Sequence, residues 1–188
     1  MTVHFCSDLH FGHKNVIKYS NRPFSSAEEM DEAMITNWNR VVSPNDTVHH
    51  LGDFAFAKID RVKAILKRLN GRKCFVNGNH DKVIKEHKHE LLDGGFIDSL
   101  HDYREIYVDK QFIVLFHYGC RVWNKSHHGA FHLYGHSHGS LPPHGKSVDV
   151  GADAPFITGK PEYRPFSFAE VKAFMNKQKT IKVDHHGD

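Results

Sequence analysis

The chain has 188 residues, of which 39% are hydrophobic and 25% charged, so it can bury a core without disulfides. Its formal net charge of +3 is too small to indicate a nucleic-acid-binding protein by itself. The three cysteines are widely separated and form no CxxC pair, which argues against a disulfide framework or zinc ribbon and predicts a reduced, cytoplasmic setting. The sequence has no signal-peptide pattern and no apolar run of the roughly 18 residues that cross a bilayer, so we expect no membrane association.

The first half of the chain predicts an alternation of short strands and helices. Apolar runs predict strands over 2–7, 46–51 and 73–76. A capping-box pattern, Ser26 with Glu29, begins a helix that stops before Pro44. Two further helices are expected over 59–69 and over 81–92, the second capped by Asp81. The basic face of the 59–69 helix is expected to be solvated, with a phosphate-binding surface as the alternative.

The second half is predicted to be rich in strands. A hairpin is expected over 104–116, with its turn at 109–110, followed by strands over 131–134 and 147–150. Ser167 and Glu170 form a second capping box, which opens a helix with Phe168, Val171 and Phe174 facing inward. The whole pattern predicts an α/β sandwich with sheets inside and helices outside. We expect one domain over 1–178 and a polar tail over 179–188.

Five polar clusters follow the predicted strands. They are Asp8-Leu9-His10, Gly52-Asp53, Gly78-Asn79-His80-Asp81, His117 and Gly135-His136-Ser137-His138. Loops at strand ends are where α/β folds build sites, and carboxylate and imidazole ligands without thiolate suit Mn²⁺, Fe, Zn²⁺ or Ni²⁺. Asp8 and His10 are two residues apart, as are His136 and His138. In extended backbone this spacing would point both side chains of each pair the same way. The glycines in these clusters would permit tight turns and close approach.

Each cluster alone has a simpler explanation. An Asp-x-His pair is more often a capped strand end than a ligand pair, His117 alone is more often a core histidine, and Gly-Asn-His-Asp could be only a turn. The five clusters in this order, each after an apolar run, together favour a metal site.

The order and content of these clusters resemble the calcineurin-like metallophosphoesterase superfamily, and in particular its small bacterial and phage members. The signature of that superfamily is Asp-x-His, Gly-Asp, Gly-Asn-His-Asp/Glu, a lone His and Gly-His-x-His. The resemblance runs over 8–138, and 147–151 looks like the next strand of the family. It implies a four-layer α-β-β-α sandwich.

Carried over position by position, the resemblance implies a ligand set for two divalent transition-metal ions. One ion would be held by Asp8, His10 and His138, the other by Asn79, His117 and His136, and Asp53 would bridge both. Manganese is the first expectation, with iron, nickel or zinc as alternatives. The catalytic residues would be Asp53 and His80, and His80 would not bind metal.

The activity implied by the resemblance is hydrolysis of phosphate esters. A metal-bridging hydroxide would attack phosphorus in line while His80 assists the leaving group. Phosphodiesters are the first expectation, and a phosphomonoesterase on a small substrate or a catalytically silent scaffold are the alternatives. The expected partner is a small phosphate ester, including a nucleotide or short nucleic acid, with no obligate protein partner.

Three residues are expected to contact the substrate. His13 follows His10 closely on a glycine turn, whereas Arg121 and Trp123 belong to a long polar and aromatic loop. A surface loop anchored by Trp123 is an equal alternative for that segment. Arg22 is expected to form an ion pair rather than to bind phosphate.

Overall fold

A computed structural model describes residues 1–181, and its strands form two sheets. The strands are β1 (Val3–Cys6), β2 (Thr47–His50), β3 (Arg72–Val76), β4 (Ser99–His101), β5 (Tyr103–Val108), β6 (Gln111–Phe116), β7 (Phe131–Tyr134), β8 (Ser147–Asp149) and β9 (Phe166–Ser167). The helices are α1 (Lys14–Tyr19), α2 (Ala27–Val41), α3 (Ile59–Arg68), α4 (Lys82–Glu86), α5 (Lys88–Asp93) and α6 (Phe168–Met175), with a 3₁₀ turn at Ser126–His128.

Most neighbouring strands in both sheets are parallel. The first sheet has the order β4-β3-β2-β1-β9, in which only β9 runs antiparallel to its neighbour. The second has the order β5-β6-β7-β8, in which β5 and β6 form an antiparallel hairpin and β6, β7 and β8 are parallel. The carboxyl ends of β1, β2 and β3 therefore lie along one edge, as do those of β6, β7 and β8, and such edges are where α/β sheets place their sites.

Two hydrophobic clusters lie on opposite faces of the first sheet. Cys6 of β1 packs with Met34 and Trp38 of α2 in one cluster. Phe5, its neighbour on β1, packs with Leu133 of the second sheet in the other. Successive strand residues point to opposite faces, so the first sheet is buried between helices and the second sheet. The predicted α/β sandwich is confirmed.

Both predicted capping positions begin helices. Ser26 accepts a hydrogen bond from the Glu29 amide at 3.1 Å, and α2 ends at Val41, before Pro44. Ser167 and Glu170 form a complete capping box at α6. In that helix Phe174 is only partly buried, and Met175 takes the fully buried position.

The helix predicted over 81–92 is wrong as a single element. It is divided into α4 and α5 at His87, whose backbone φ is −104° and ψ is 23°. The Asp81 side chain caps neither helix, because its oxygens accept hydrogen bonds from backbone amides at the ends of two strands. Helix α1 and the short strands β4 and β9 were not predicted.

The basic face of α3 forms ion pairs with neighbouring helices. The pairs are Arg61 with Asp31, Lys63 with Glu90 and Arg68 with Glu32. Arg61, Lys67 and Arg68 are exposed and Lys63 is half-buried, so most of this face is solvated as expected.

The domain over 1–178 and the tail over 179–188 stay predictions, since 182–188 lie outside the described residues. Within the described part, every helix is too short or too polar to span a membrane.

Candidate metal centre

The five predicted clusters converge at one edge of the sandwich, and each follows a strand. Asp8 and His10 follow β1, Asp53 follows β2, Asn79 and His80 follow β3, His117 follows β6, and His136 and His138 follow β7. The side chains therefore come from both sheets.

The first group contains Asp8, His10 and His138, whose nearest ligand atoms all lie within 4.8 Å of one another. Oδ1 of Asp8 lies 4.0 Å from Nε2 of His138, and the His10 and His138 rings stack with centroids 5.1 Å apart. Asp8 and His10 are buried and His138 is half-buried.

The second group contains Asp53, His117 and His136, again with ligand atoms within 4.8 Å of one another. Oδ1 of Asn79 lies 3.0 Å from Nε2 of His117 and 3.0 Å from Nδ1 of His136. The Asn79 amide oxygen therefore belongs to the same cluster.

Asp53 lies between the two groups. Its Oδ2 atom is 3.6 Å from Nε2 of His10 and 3.6 Å from Nε2 of His117. Its other oxygen, Oδ1, accepts a hydrogen bond from the His80 amide at 2.8 Å. A single carboxylate oxygen thus faces one imidazole from each group.

Five of these residues have left-handed backbone. The φ values are 56° at Asp8, 54° at His10, 58° at Asp53, 66° at His136 and 47° at His138. The extended backbone expected for the two paired spacings is therefore wrong, although the side chains of both pairs still face the site. Left-handed backbone is costly for residues other than glycine, so it persists only where the surrounding structure holds it, and it is found most often at functional sites.

Glycines allow the clusters to approach each other closely. A Cβ atom on Gly78 would collide with the Asp53 carboxylate, and one on Gly135 would collide with Asp8. A Cβ on Gly52 would lie 2.6 Å from the amide nitrogen of Gly78. The expected close approach at these glycines is confirmed.

The donor atoms are suited to a cation. Within residues 1–181, neither ring nitrogen of the buried His10 has a hydrogen-bond partner. Burial lowers the pKa of His10 to about 2, so the imidazole is neutral and has a lone pair to offer. Burial and the carboxylates of Asp149 and Asp53 raise the pKa of Asp8. Unpaired buried nitrogen and crowded buried carboxylates are both unfavourable unless positive charge is bound among them.

Two further acidic residues, Asp81 and Asp149, fix the loops of the site. Asp81 accepts hydrogen bonds from the amides of Asp53 and Gly78, each at 2.8 Å, and from Phe54 at 2.9 Å. Asp149 accepts from the Gly139 amide at 2.9 Å, directly after His138.

Asp153, which the sequence did not single out, forms the buried ion pair of Arg22. Nε of Arg22 lies 2.8 Å from Oδ1 of Asp153 and Nη2 lies 2.7 Å from Oδ2. Arg22 also donates to the carbonyl oxygens of Asp8 and Leu9. The expectation that Arg22 forms an ion pair is confirmed.

A cavity of about 630 Å³ opens beside the first group. His80 and His13 both line it, together with His10. Arg121 instead lines a separate cavity of about 330 Å³. Nε1 of Trp123 donates a hydrogen bond to the Ala130 carbonyl at 3.0 Å. This contact fits the alternative of a surface loop anchored by Trp123. The structure does not bring Arg121 or Trp123 to the larger cavity, so their contact with substrate stays a prediction.

The comparisons with known proteins give relatives of similar length. No protein-family model matches the chain. The uncharacterized protein MJ1445 of Methanocaldococcus jannaschii is 33% identical over 183 residues, which covers 96% of this chain and 95% of that protein. The protein of unknown function AQ665 from Aquifex aeolicus has a similar crystal structure, with a TM-score of 0.69 and 25% identity, over 92% of this chain and 98% of that one.

A structure described as that of a novel archaeal phosphodiesterase is also similar. It aligns with a TM-score of 0.50 and 19% identity, over 89% of this chain and 100% of that one. The two sheets flanked by helices are consistent with an α/β sandwich of the metallophosphoesterase type.

Proposed function

The chain belongs to the same family as the uncharacterized protein MJ1445 of Methanocaldococcus jannaschii, and we propose that it is a metal-dependent hydrolase of phosphate esters within the calcineurin-like metallophosphoesterase superfamily. The observation that carries the proposal is the position of Asp53 Oδ2, 3.6 Å from an imidazole nitrogen of each ligand group. Two ions held close together are a recurring arrangement in enzymes that hydrolyse phosphate esters. Similarity in fold to an archaeal phosphodiesterase supports the same activity.

The seven side chains divide into two sets that share Asp53. One ion would be held by Asp8, His10 and His138, and the other by Asn79, His117 and His136. These oxygen and nitrogen donors, without thiolate, suit divalent transition metals, with manganese first and iron, nickel or zinc as alternatives.

When bound, the two ions would supply positive charge for the phosphoryl oxygens and lower the pKa of bound water. Only Asp8 and Asp53 among the seven ligands are carboxylates, so the loaded site would keep a net positive charge. That charge would attract an anionic ester and hold its phosphate beside His80.

His80 is placed to assist the leaving group. Its amide donates to Asp53 Oδ1 at 2.8 Å, which pins the residue beside the site. Its imidazole lines the cavity, with its ring centroid 5.6 Å from that of His10. An imidazole there can donate a proton or a hydrogen bond to the oxygen that departs from phosphorus.

Phosphodiesters are the first candidate substrates within this proposal. The cavity of about 630 Å³ beside His10 and His138 has room for an organic group next to a bound phosphate. A phosphomonoesterase on a small substrate is the second candidate. A silent scaffold is less well supported, because His80 and all seven donors stand together around one site.

A reconstitution assay tests this proposal. Protein stripped with a chelator is reloaded with Mn²⁺, Ni²⁺, Zn²⁺ or Mg²⁺ and assayed on bis-p-nitrophenyl phosphate and p-nitrophenyl phosphate. We expect two ions per chain at saturation and faster hydrolysis of the diester. Exclusive hydrolysis of the monoester would identify a phosphatase, and two bound ions without hydrolysis of any ester would identify a scaffold. Saturation at one ion per chain would contradict the shared role of Asp53.

A further inference from the structure

Exposed aromatic side chains surround the candidate metal centre. Within residues 1–181, eight large hydrophobic side chains are strongly exposed, and three of them lie at this site. They are Tyr19 at 78% exposure, Phe56 at 57% and Tyr118 at 40%. Single exposed hydrophobic residues are ordinary, but two exposed rings lining one cavity, with a third beside the second ligand group, point to a ligand.

On one side, a row of rings leads outward from the first ligand group. The His13 ring lies 5.5 Å from that of His10, and the Phe56 ring stacks on His13 with centroids 4.6 Å apart and planes at 29°. Tyr19 and Phe56 both line the cavity. Phe54, two residues before Phe56, is fully buried in the core. The exposure of Phe56 is therefore particular to this residue and not shared by the nearby phenylalanine.

On the other side, a ring covers the second ligand group. Tyr118 contacts the His136 ring edge-on at 4.8 Å and the His117 ring at 5.0 Å. Aromatic surface therefore borders both ligand groups.

The cavity also offers polar groups beside these rings. Asn15, Ser20, Ser137 and Ser140 line it together with Phe56. The serine hydroxyls already have partners within the protein, but their oxygens keep acceptor capacity, and the Asn15 amide can both donate and accept. A nucleobase has flat faces that stack on aromatic rings and a polar edge that hydrogen-bonds to such groups.

From this arrangement we infer that the preferred substrates are phosphodiesters of nucleosides, with a base stacked against Phe56 in a subsite formed with His13 and Tyr19. The inference rests on the proposed function, since the scissile phosphate lies at the ligand groups. The row of rings runs from His10, a proposed metal ligand, through His13 to Phe56, so a base stacked on Phe56 would lie on the same side of the site as the first ligand group.

The test compares a dinucleoside monophosphate with its abasic analogue, which has the same sugars and phosphate but no bases. In the metal-loaded protein, we expect kcat/KM to be about tenfold or more higher for the substrate with bases, since stacking of this kind is typically worth about 5- to 150-fold per base. Phe56→Leu keeps an apolar side chain without a ring, so it should remove most of that preference. The readout is the ratio of kcat/KM between the two substrates in the same variant, because the Phe56 ring also contacts the His80 ring edge-on, with centroids 6.2 Å apart. Tyr107→Leu is the matched control, because Tyr107 is 63% exposed on β5 and does not line the cavity.

A second readout does not depend on turnover. A dinucleoside monophosphate containing 2-aminopurine should lose fluorescence on rapid mixing with the metal-loaded protein, because stacking quenches this base. Phe56→Leu should reduce the quenching, and Tyr107→Leu should not. Equal hydrolysis of both substrates, or quenching that persists in Phe56→Leu, would overturn the subsite while leaving the proposed function intact. Failure to hydrolyse either substrate or bis-p-nitrophenyl phosphate would instead reject the proposed function.

Discussion

Oδ2 of Asp153 lies 2.7 Å from Nδ1 of His138. The same oxygen accepts a hydrogen bond from Nη2 of Arg22 at 2.7 Å. Burial raises the pKa of Asp153, but the hydrogen bonds from His138 and Arg22 outweigh it and hold the pKa below its usual value. An ionised carboxylate can only accept, so Nδ1 of His138 is the donor in this contact, and the opposite nitrogen, Nε2, faces Asp8 at 4.0 Å. Carboxylates that orient a metal-binding histidine in this way are common and raise its basicity.

Asp153→Asn should weaken binding of one metal ion and spare the other. We expect the metal affinity of the group formed by Asp8, His10 and His138 to fall about 10- to 100-fold. This is the usual effect of removing a residue that hydrogen-bonds to a metal ligand. Metal titration by calorimetry separates the two ions. Ser20→Ala is the control, because Ser20 Oγ lies 3.1 Å from the same nitrogen but carries no charge. Unchanged affinity at both positions would show that Asp153 only stabilises the fold.

Asp53→Asn should remove both ions together. The substitution replaces the carboxylate that faces both groups and keeps its size. Asp8→Asn is the matched control, since Asp8 belongs to one group only, and it should retain one ion. Metal content measured after gel filtration checks both variants. One ion bound to Asp53→Asn with its original affinity would exclude Asp53 as the shared ligand.

His80→Gln should keep both ions and the fold yet lose about 10²- to 10⁴-fold in kcat, the usual contribution of general acid help. The loss should be smaller for nitrophenyl esters, whose leaving group needs little protonation.

The leaving-group series separates two possible roles of His80. A loss that is uniform across leaving groups would indicate stabilisation of transition-state charge. Full activity of His80→Gln on an alkyl ester would contradict both roles.

Buried His132 should make the metal-free protein less stable in mild acid. Burial lowers its pKa to about 4, below the usual 6.5 of the unfolded chain. The unfolded chain therefore binds more protons between these values, and the free energy of unfolding falls as pH drops from 6.5 towards 4. Removing this group with His132→Gln should reduce the loss of stability between pH 7 and pH 5 by about 2 kcal/mol.

Urea denaturation at the two pH values measures this difference. His128→Gln is the control, because it removes an exposed imidazole from the same region. It should leave the difference in unfolding free energy between pH 7 and pH 5 unchanged. An equal loss of stability in His132→Gln and the unmodified protein would show that other groups control the acid sensitivity.

The polar clusters were predictable because each combines two local signals, an apolar run and a polar residue directly after it. Asp153 carries no such signal, because it follows its strand by four residues and its partners Arg22 and His138 are distant in the chain. Helix α1 lacks an acidic first turn and a side-chain cap, so its sequence offers no start signal. Strands β4 and β9 are three and two residues long, which is too short for a periodic pattern. The left-handed backbone at Asp8 and His138 depends on tertiary contacts, which spacing alone does not reveal.

Both candidate ligand groups draw side chains from the two sheets, so metal binding there would be linked to the docking of the sheets. In a chain whose sheets had formed but not packed together, His138 would be separated from Asp8 and His10, and His117 and His136 from Asp53. Ions would then bind the docked state selectively, and an ion at 100 times its dissociation constant would stabilise that state by about 2.7 kcal/mol. Metal uptake during refolding would therefore report when the two halves of the sandwich come together.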